Sequence, residues 1–430
     1  MKSTHTSENL LNEIKNVLSD WKLSEKHITF VSDNASDIKH ALKDLGNFDW
    51  LGCTAHNINL VIKEGTKVSE AHNLVVRCKN LITHIKQSNN AMYILRQYME
   101  QDDFLPSLTV LQECPTRWWS CLKMLQRVVK IWTSLASTIV QVERPDLMLS
   151  DQDIIDIKGI IALLQPFKLI SETLEGEKYV TVSMIQSFID KIQKHLQPMI
   201  RDTSLIINMK KSMLEKLLTR HSDEAINIIR FSSKIDPRFK RKEFNSTQEM
   251  ENDLMALTIQ LNQGDQDSQS QIGPTQGQAI VNLSTIINMP STTTSTSTEV
   301  KDLLNIFDSQ DDVDMGESEL SLEQKISNEI SQYNAMKIEH ADKLNVLDWW
   351  KAQHVNFPHL FKVFQKYLHV PSTSVPSERM FSLAGNILTE RRARLSPRNV
   401  NMLTFLNHNQ KYIPKDTTVI TPQPKLPSNS

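Results

Sequence analysis

Acidic, cysteine and histidine side chains follow two short apolar runs near the start of the chain. Asp33 comes just after the run 27–31, and Cys53-x-x-His56 begins at the end of the run 50–53. Carboxylates are ligands of Mg²⁺, and a Cys-x-x-His pair supplies half of a structural zinc site. No second Cys/His pair has a matching spacing, so zinc is not favoured. Alone, Asp33 is typical of a turn or a helix N-cap.

The elements that would position these residues are helices and strands in alternation at the start of the chain. After these, the predicted elements are helices. Both apolar runs predict short strands, and each is followed by a helical pattern. Residues 8–22 predict a helix before the first strand, and successive amphipathic helices are predicted between residues 117 and 221. The Gln-, Ser-, Thr- and Asp-rich residues 244–320 predict a mostly disordered linker. Helical periodicity resumes near residue 320.

Composition excludes several classes of protein. The net charge of −2, from 48 basic and 50 acidic residues, gives no overall electrostatic case for nucleic acid. The ten glycines form no glycine-rich loop of the kind that binds a phosphate group. The four cysteines are too few for the disulfide framework of a secreted protein. With no apolar signal or membrane run, the sequence predicts a soluble protein of a reducing compartment without a membrane partner.

One C-terminal segment carries a specific family resemblance. Residues 371–385 read Pro-Ser-Thr-Ser-Val-Pro-Ser-Glu-Arg-Met-Phe-Ser-Leu-Ala-Gly, which closely resembles the hallmark of the C-terminal region of hAT-superfamily DNA transposases. Further landmarks occur in the family's order: Asp33, Cys53 with His56, Arg117-Trp118, and the run 235–240. The resemblance identifies the chain as transposase-derived, with the C-terminal match spanning about residues 340–410.

The resemblance implies a ribonuclease H-like α/β core interrupted by a large all-α insertion, in a predominantly helical protein. Three acidic residues of such a core hold two Mg²⁺ ions for DNA strand cleavage and transfer. Asp33 matches the second acid and Glu378 the third, while Cys53 and His56 match residues that help to shape the pocket.

The first acid has no match. Only about thirty residues precede Asp33, too few for the opening strands and for a BED-type zinc finger. We therefore expect an incomplete core that binds Mg²⁺ weakly through Asp33 and Glu378, has no resident cofactor and has no independent transposase activity.

DNA contact is expected at two places by the same resemblance. In similar transposases the Trp after this Arg stacks on an extruded base, which points to Arg117 and Trp118. Arg391, Arg392 and Arg394 form the densest basic cluster, which is either a solvated helix face or a strip that contacts phosphates.

Five regions follow from these patterns: a partial ribonuclease H-like core (1–119), an all-α insertion (120–243), a linker (244–320), a dimerisation region that completes the core (321–410), and a disordered tail (411–430).

The leading hypothesis is a catalytically inactive nuclear protein that associates with DNA and forms a homodimer or higher oligomer through residues 340–410. Its interface would use the apolar residues Phe357, Leu360, Phe361, Phe364, Leu403 and Leu406. An active Mg²⁺-dependent transposase remains the alternative if further upstream sequence supplies the missing acid and finger. A scaffold without a nucleic-acid role is the third hypothesis.

Overall fold

The fold is known from a computed structural model, which describes residues 6–24, 26, 28–46, 48–101, 108–114, 119–219, 223–269, 320–388 and 395–412. The main elements, in chain order, are α1 (Ser7–Asp20), β1 (Ile28–Ser32), α2 (Ser36–Lys43), β2 (Phe48–Gly52), α3 (Thr54–Thr66), α4 (Ser69–Gln87), α5 (Asn89–Glu100), α6 (Ser120–Lys130), α7 (Trp132–Gln141), α8 (Asp151–Leu174), α9 (Met184–His195), α10 (Ser204–Leu218), α11 (Asp223–Ile235), α12 (Gln248–Gln269), α13 (Leu322–Ala335), α14 (Val346–Gln353), α15 (Pro358–Tyr367), α16 (Val375–Ile387) and α17 (Pro397–His408).

The two strands form a small parallel sheet. Ile28 lies opposite Phe48 and Ser32 lies opposite Gly52, and α2 makes the crossover that a parallel pair requires. The sequence predicted both strands, with boundaries that differ by one or two residues. Within the described residues the strands make one two-stranded sheet, so the predominantly helical character is confirmed.

A single hydrophobic core joins this sheet to the helices. Buried side chains from Leu51 to Val370 belong to one continuous cluster. The helices α10 and α8 pack against α3, and α11 packs against β2. The helices of the predicted all-α insertion therefore share their core with the βαβ unit. No described helix has the length and apolar character that a membrane span requires.

Part of the predicted linker is folded. Residues Gln248–Gln269 form α12, which packs against α13 and α15. Met250, Leu254 and Thr258 recur every four residues and are buried, which gives the helix an apolar side despite its polar composition. The linker prediction is therefore wrong for 248–269. Its remainder, 270–319, and residues 413–430 of the predicted tail lie outside the described residues.

Aromatic side chains of α13, α14 and α15 pack together inside the chain. Trp350 is fully buried, stacks on Phe364 with ring centroids 5.3 Å apart, and donates its indole N–H to the carbonyl of Ile235 at 3.2 Å. Phe357 and Leu360 are 1% and 0% exposed. These two residues belong to the chain's own core, so their assignment to a shared subunit interface is wrong.

Candidate functional site

The C-terminal motif meets the carboxyl ends of both strands. The backbone N–H of Cys53 donates to the carbonyl of Ser32 at 2.6 Å, which continues the sheet by one residue. The N–H of Thr54 then donates to the carbonyl of Ser372 at 3.0 Å, and the N–H of Ser374 donates to Sγ of Cys53 at 3.3 Å. The segment that precedes α16 is thereby fixed at the strand ends.

Asp33 occupies the turn after β1. It is exposed, and its Oδ1 accepts a hydrogen bond from the backbone N–H of Ala35 at 3.2 Å. This is an Asx turn at the start of α2, as expected of an aspartate at this position without the resemblance.

The neighbouring Asn34 donates its side-chain amide to Oδ1 of Asn57 at 2.6 Å, which ties this turn to α3. A Cβ at Gly52 would lie 2.9 Å from Oδ1 of Asn34. Glycine is therefore needed at the end of β2.

Glu378 lies in the first turn of α16 and is exposed. The hydroxyl of Ser374 donates to its Oε1 at 3.3 Å, and a carboxylate at this end of a helix is favoured by the helix dipole. Cys53 links the two predicted acids structurally, because it contacts Ser32, which precedes Asp33, and Ser374, which contacts Glu378. The predicted convergence of the two carboxylates themselves stays a prediction.

The metal-binding prediction concerns Asp33 and Glu378. Within the described ranges, no group of three or more His, Cys, Asp or Glu side chains is placed to hold a metal ion. Asp33 and Glu378 each already accept a local hydrogen bond. Cys53 is fully buried and His56 is half-buried in the first turn of α3. Weak Mg²⁺ binding by Asp33 and Glu378 stays a prediction.

Other residues of the C-terminal motif attach α16 to the end of α8. The guanidinium of Arg379 donates to carboxylate oxygens of Glu175 and Glu177, each at 3.0 Å. The hydroxyl of Ser372, which is buried, donates to the carbonyl of Leu174 at 2.9 Å. The family resemblance implied a role only for Glu378 of this motif, and Ser372 and Arg379 are further functional residues within it.

The landmark at residues 235–240 is a buried junction. Asp236 is fully buried, pairs with Arg238 at 2.7 Å and accepts a hydrogen bond from the hydroxyl of Ser183 at 2.6 Å. Two residues before this serine, the hydroxyl of Thr181 accepts a hydrogen bond from the N–H of Ser372 at 3.1 Å. Through Ser183 and the nearby Thr181, the run 235–240 is connected to Ser372 at the start of the C-terminal motif.

Lys240, at the end of this landmark, packs beneath an aromatic ring. Its ammonium lies 4.5 Å from the ring centroid of Tyr333 and donates to that residue's carbonyl. Burial, together with the charges of Arg241 and Lys234, lowers the pKa of Lys240 to about 8. Lys240 therefore connects the run 235–240 to α13, the helix that contains Tyr333.

Helices α16 and α17 pack against each other and present an exposed apolar surface. Phe381 and Phe405 are 77% and 65% exposed. We call this surface the hairpin face, and it consists of Phe381, Leu388, Met402, Leu403, Phe405 and Leu406. Exposed large apolar side chains that form one patch are typical of a surface that binds another protein.

The predicted DNA-contacting residues cannot be located. They are Arg117, Trp118, Arg391, Arg392 and Arg394, all of which lie outside the described residues. The adjacent Trp119 is described and half-buried, with a left-handed φ of 62° immediately before α6. Its side chain packs against the core.

Two protein-family models match the chain. Residues 328–410 match the hAT family C-terminal dimerisation region, which includes α14 to α17 and most of α13. Residues 51–161 match the ZBED1 RNase-like helical domain, which includes the strand end at Cys53.

Several known proteins are similar to this chain over long stretches. The Hobo transposase of Drosophila melanogaster is 27% identical over 49% of the chain, and a putative AC transposase of Zea mays is 23% identical over 94% of it. The human zinc finger BED domain-containing protein 4 is 20% identical over 88%. The chain spans 30%, 51% and 30% of these relatives, respectively. With both family matches, these similarities support a hAT-family transposase-like protein.

Proposed function

We propose that this chain is a transposase-derived nuclear protein that acts through self-association and DNA binding, without independent catalysis. The observation that carries the proposal is the hairpin face, which is apolar, exposed and located within the residues that match a dimerisation region. The relatives' names, which include transposases and BED zinc-finger proteins, support the DNA partner and the nuclear location.

The hairpin face is presented on a supported base. Ser372 and Arg379 attach the start of α16 to α8, and Ser374 attaches it to Cys53. A surface held in this way loses little conformational freedom on association, which favours affinity. The aromatic residues Phe381 and Phe405 are suitable anchors, since a few large side chains carry most of the energy of an interface.

Sedimentation velocity of the full chain tests self-association. We expect a dimer at micromolar concentration, and expect Phe381→Ser combined with Phe405→Ser to shift the protein to monomer without loss of folding. The matched control is Tyr93→Ser, which alters an exposed aromatic on α5 and should leave the dimer intact. A monomeric wild-type chain at tens of micromolar, or a dimer unaffected by the double substitution, contradicts the proposal.

Catalysis by the chain alone is not expected, because Asp33 and Glu378 form local hydrogen bonds and no described third carboxylate joins them. We expect no cleavage or joining of DNA with Mg²⁺ or Mn²⁺. Turnover that is lost in Glu378→Gln would instead support the second candidate, an active transposase. That candidate is favoured by the long similarity to the AC transposase.

DNA association is tested by fluorescence anisotropy with a labelled duplex across a range of salt. Replacing Arg391, Arg392 and Arg394 by Gln should lower the slope of log K against log salt by about 2 to 3, since each phosphate contact contributes about 0.9. The control replaces three basic residues elsewhere, Lys191, Lys194 and Arg201, by Gln. Absence of salt-dependent binding would favour a protein-only scaffold.

A further inference from the structure

An apolar groove lies between α8 and α9, away from the hairpin face. Its α8 wall contains Leu169 and Ile170, and its α9 wall contains Phe188 and Ile192, with Lys191 and His195 at the rim. Leu169 is 64% exposed. An exposed leucine at the edge of an apolar groove is a suitable anchor for another apolar segment.

A turn that carries exposed apolar side chains follows the end of α9. Met199 and Ile200 are largely exposed, yet the turn that carries them is fixed. The carboxylate of Asp202 accepts the N–H of Met199 at 2.7 Å and the ammonium of Lys210 at 2.7 Å. The same ammonium donates to the carbonyl of Gln197 at 3.1 Å.

Lys210 is 2% exposed, and breaking a buried ion pair of this kind is costly because one charge would be left unpaired. The turn is therefore held in one conformation while its apolar tip stays exposed. This arrangement favours binding, since the tip need not be ordered when a partner arrives.

Exposed basic residues lie at the groove and in the chain that follows it: Lys191 lines the groove, Lys194 is one turn further along α9, and Arg201 is in the turn after α9. Lys191, Lys194 and Arg201 are exposed, and no carboxylate of the described residues forms an ion pair with any of them. Asp202, the nearest acid in sequence to Arg201, is already engaged by Lys210. The ammonium of Lys191 lies 5.6 Å from the ring centroid of Phe188 and stays exposed. An apolar floor beside cations that form no ion pair within the described residues favours an occupant with apolar and acidic side chains. Nucleic acid fits less well, since its backbone gains nothing from an apolar lining.

The chain contains one stretch with this chemistry outside the described residues. Residues 302–319 read Asp-Leu-Leu-Asn-Ile-Phe-Asp-Ser-Gln-Asp-Asp-Val-Asp-Met-Gly-Glu-Ser-Glu, with seven carboxylates and no basic residue. Leu303, Leu304, Ile306 and Phe307 supply the apolar groups. Twelve residues, 308–319, lie between Phe307 and Leu320, the next described residue, and an extended chain of this length can span about 40 Å.

We propose that residues 302–319 dock in the groove between α8 and α9. The apolar side chains around Phe307 contact Leu169 and Phe188, and the following aspartates lie beside Lys191, Lys194 and Arg201. This contact is independent of the hairpin face and of DNA binding.

Competition with a labelled synthetic peptide of residues 301–320 tests the proposal on the full chain. In the wild-type chain the tethered segment competes at high effective concentration, so peptide binding is expected to be weak. Leu304→Ser combined with Phe307→Ser disables the tethered copy and should tighten peptide binding more than about tenfold. In the chain that carries both of these substitutions, a further Leu169→Ser or Lys191→Glu should weaken peptide binding again.

The matched control in the same background is Leu218→Ser, which alters a side chain 66% exposed at the end of α10. It should leave peptide binding unchanged, and circular dichroism confirms folding of each variant. Equal peptide affinity in the wild-type and disabled chains would show that the groove is free in the intact protein and overturn the proposal. Binding that ignores both Leu169→Ser and Lys191→Glu would overturn it equally.

Discussion

The backbone N–H of Ser374 donates a hydrogen bond to Sγ of Cys53 across 3.3 Å, although 321 residues separate the two positions. Cys53 also donates its own N–H to Ser32 at the end of the neighbouring strand. One buried residue thus connects both strands of the sheet to the start of the helix that carries Glu378. The effect of removing the Cys53 thiol can be compared with the effect of removing the thiol of another buried cysteine in the core.

Cys53→Ala is expected to destabilise the chain by about 1 kcal/mol more than Cys78→Ala. Both substitutions remove a fully buried thiol, but only the first leaves the N–H of Ser374 without its acceptor. Urea unfolding measures the difference, and amide hydrogen exchange at residues 374–378 should accelerate only in Cys53→Ala. Equal exchange in the two variants would show that this bond does not hold α16.

Arg379→Gln should weaken dimerisation more than it weakens folding. The side chain is half-exposed, so its ion pairs with Glu175 and Glu177 contribute at most about 1 kcal/mol to stability. They nevertheless fix the base of the hairpin face. We expect a dimer dissociation constant raised several-fold by sedimentation, whereas Arg144→Gln, which breaks an exposed pair with Asp146, leaves it unchanged. The same dissociation constant in both variants would argue against a positioning role.

Phe357→Ala should reduce the stability of the fold, whereas Phe405→Ala should reduce dimerisation. Phe357 is buried among Tyr333, Trp349 and Trp350, so its truncation should lower the free energy of unfolding by about 3–5 kcal/mol. Phe405 is exposed, and its truncation should change that free energy by less than about 0.5 kcal/mol while raising the dimer dissociation constant. Denaturation and sedimentation separate the two effects. A folding loss in Phe405→Ala would place that residue in the core.

Lys240→Met should alter how stability depends on pH. Burial first, then Arg241 and Lys234, lower the folded-state pKa of Lys240 to about 8 from an ordinary value of 10.5. Between these values the unfolded chain holds more protons than the folded chain, so this lysine makes the wild type more stable as pH rises. Below pH 8 both states are protonated and the contribution is constant.

The difference in unfolding free energy between wild type and Lys240→Met should therefore move in favour of the wild type as pH rises from 8 to 10, by at most about 1.4 kcal/mol per unit. Burial also raises the pKa of Cys78 and Cys121, to about 12 and about 11, which acts in the opposite direction but equally in both proteins. A difference that stays flat with pH would mean that Lys240 is not desolvated.

The local elements could be predicted from sequence because their signals are local. Apolar runs of a few residues placed β1 and β2. The start of α17 carries a local signal of the same kind, since Ser396 caps the helix immediately before Pro397. The helix α12 was missed because its apolar positions recur every four residues within a polar composition, and averaging over a window removes that signal.

The contacts of the site depend on partners that no local pattern indicates. The hydroxyl of Ser372 reaches Leu174, 198 residues away, and the guanidinium of Arg379 reaches Glu175, 204 residues away. The family resemblance indicated that the segments of Asp33 and Glu378 would meet, but not that Cys53 would connect them. The aromatic stripe of α15 was misassigned because periodicity shows which side of a helix is apolar, not what covers it.

The bond from Thr54 to Ser372 also has a consequence for biosynthesis. At roughly 5–20 residues per second, about 320 residues of synthesis separate the emergence of β2 from that of its C-terminal contact, an interval on the order of tens of seconds. Throughout that time the nascent βαβ unit leaves the ribosome with its strand ends uncovered. Parallel strands with uncovered polar groups are prone to pair with other chains, so holdase chaperones should engage nascent chains of this protein until residue 374 has emerged.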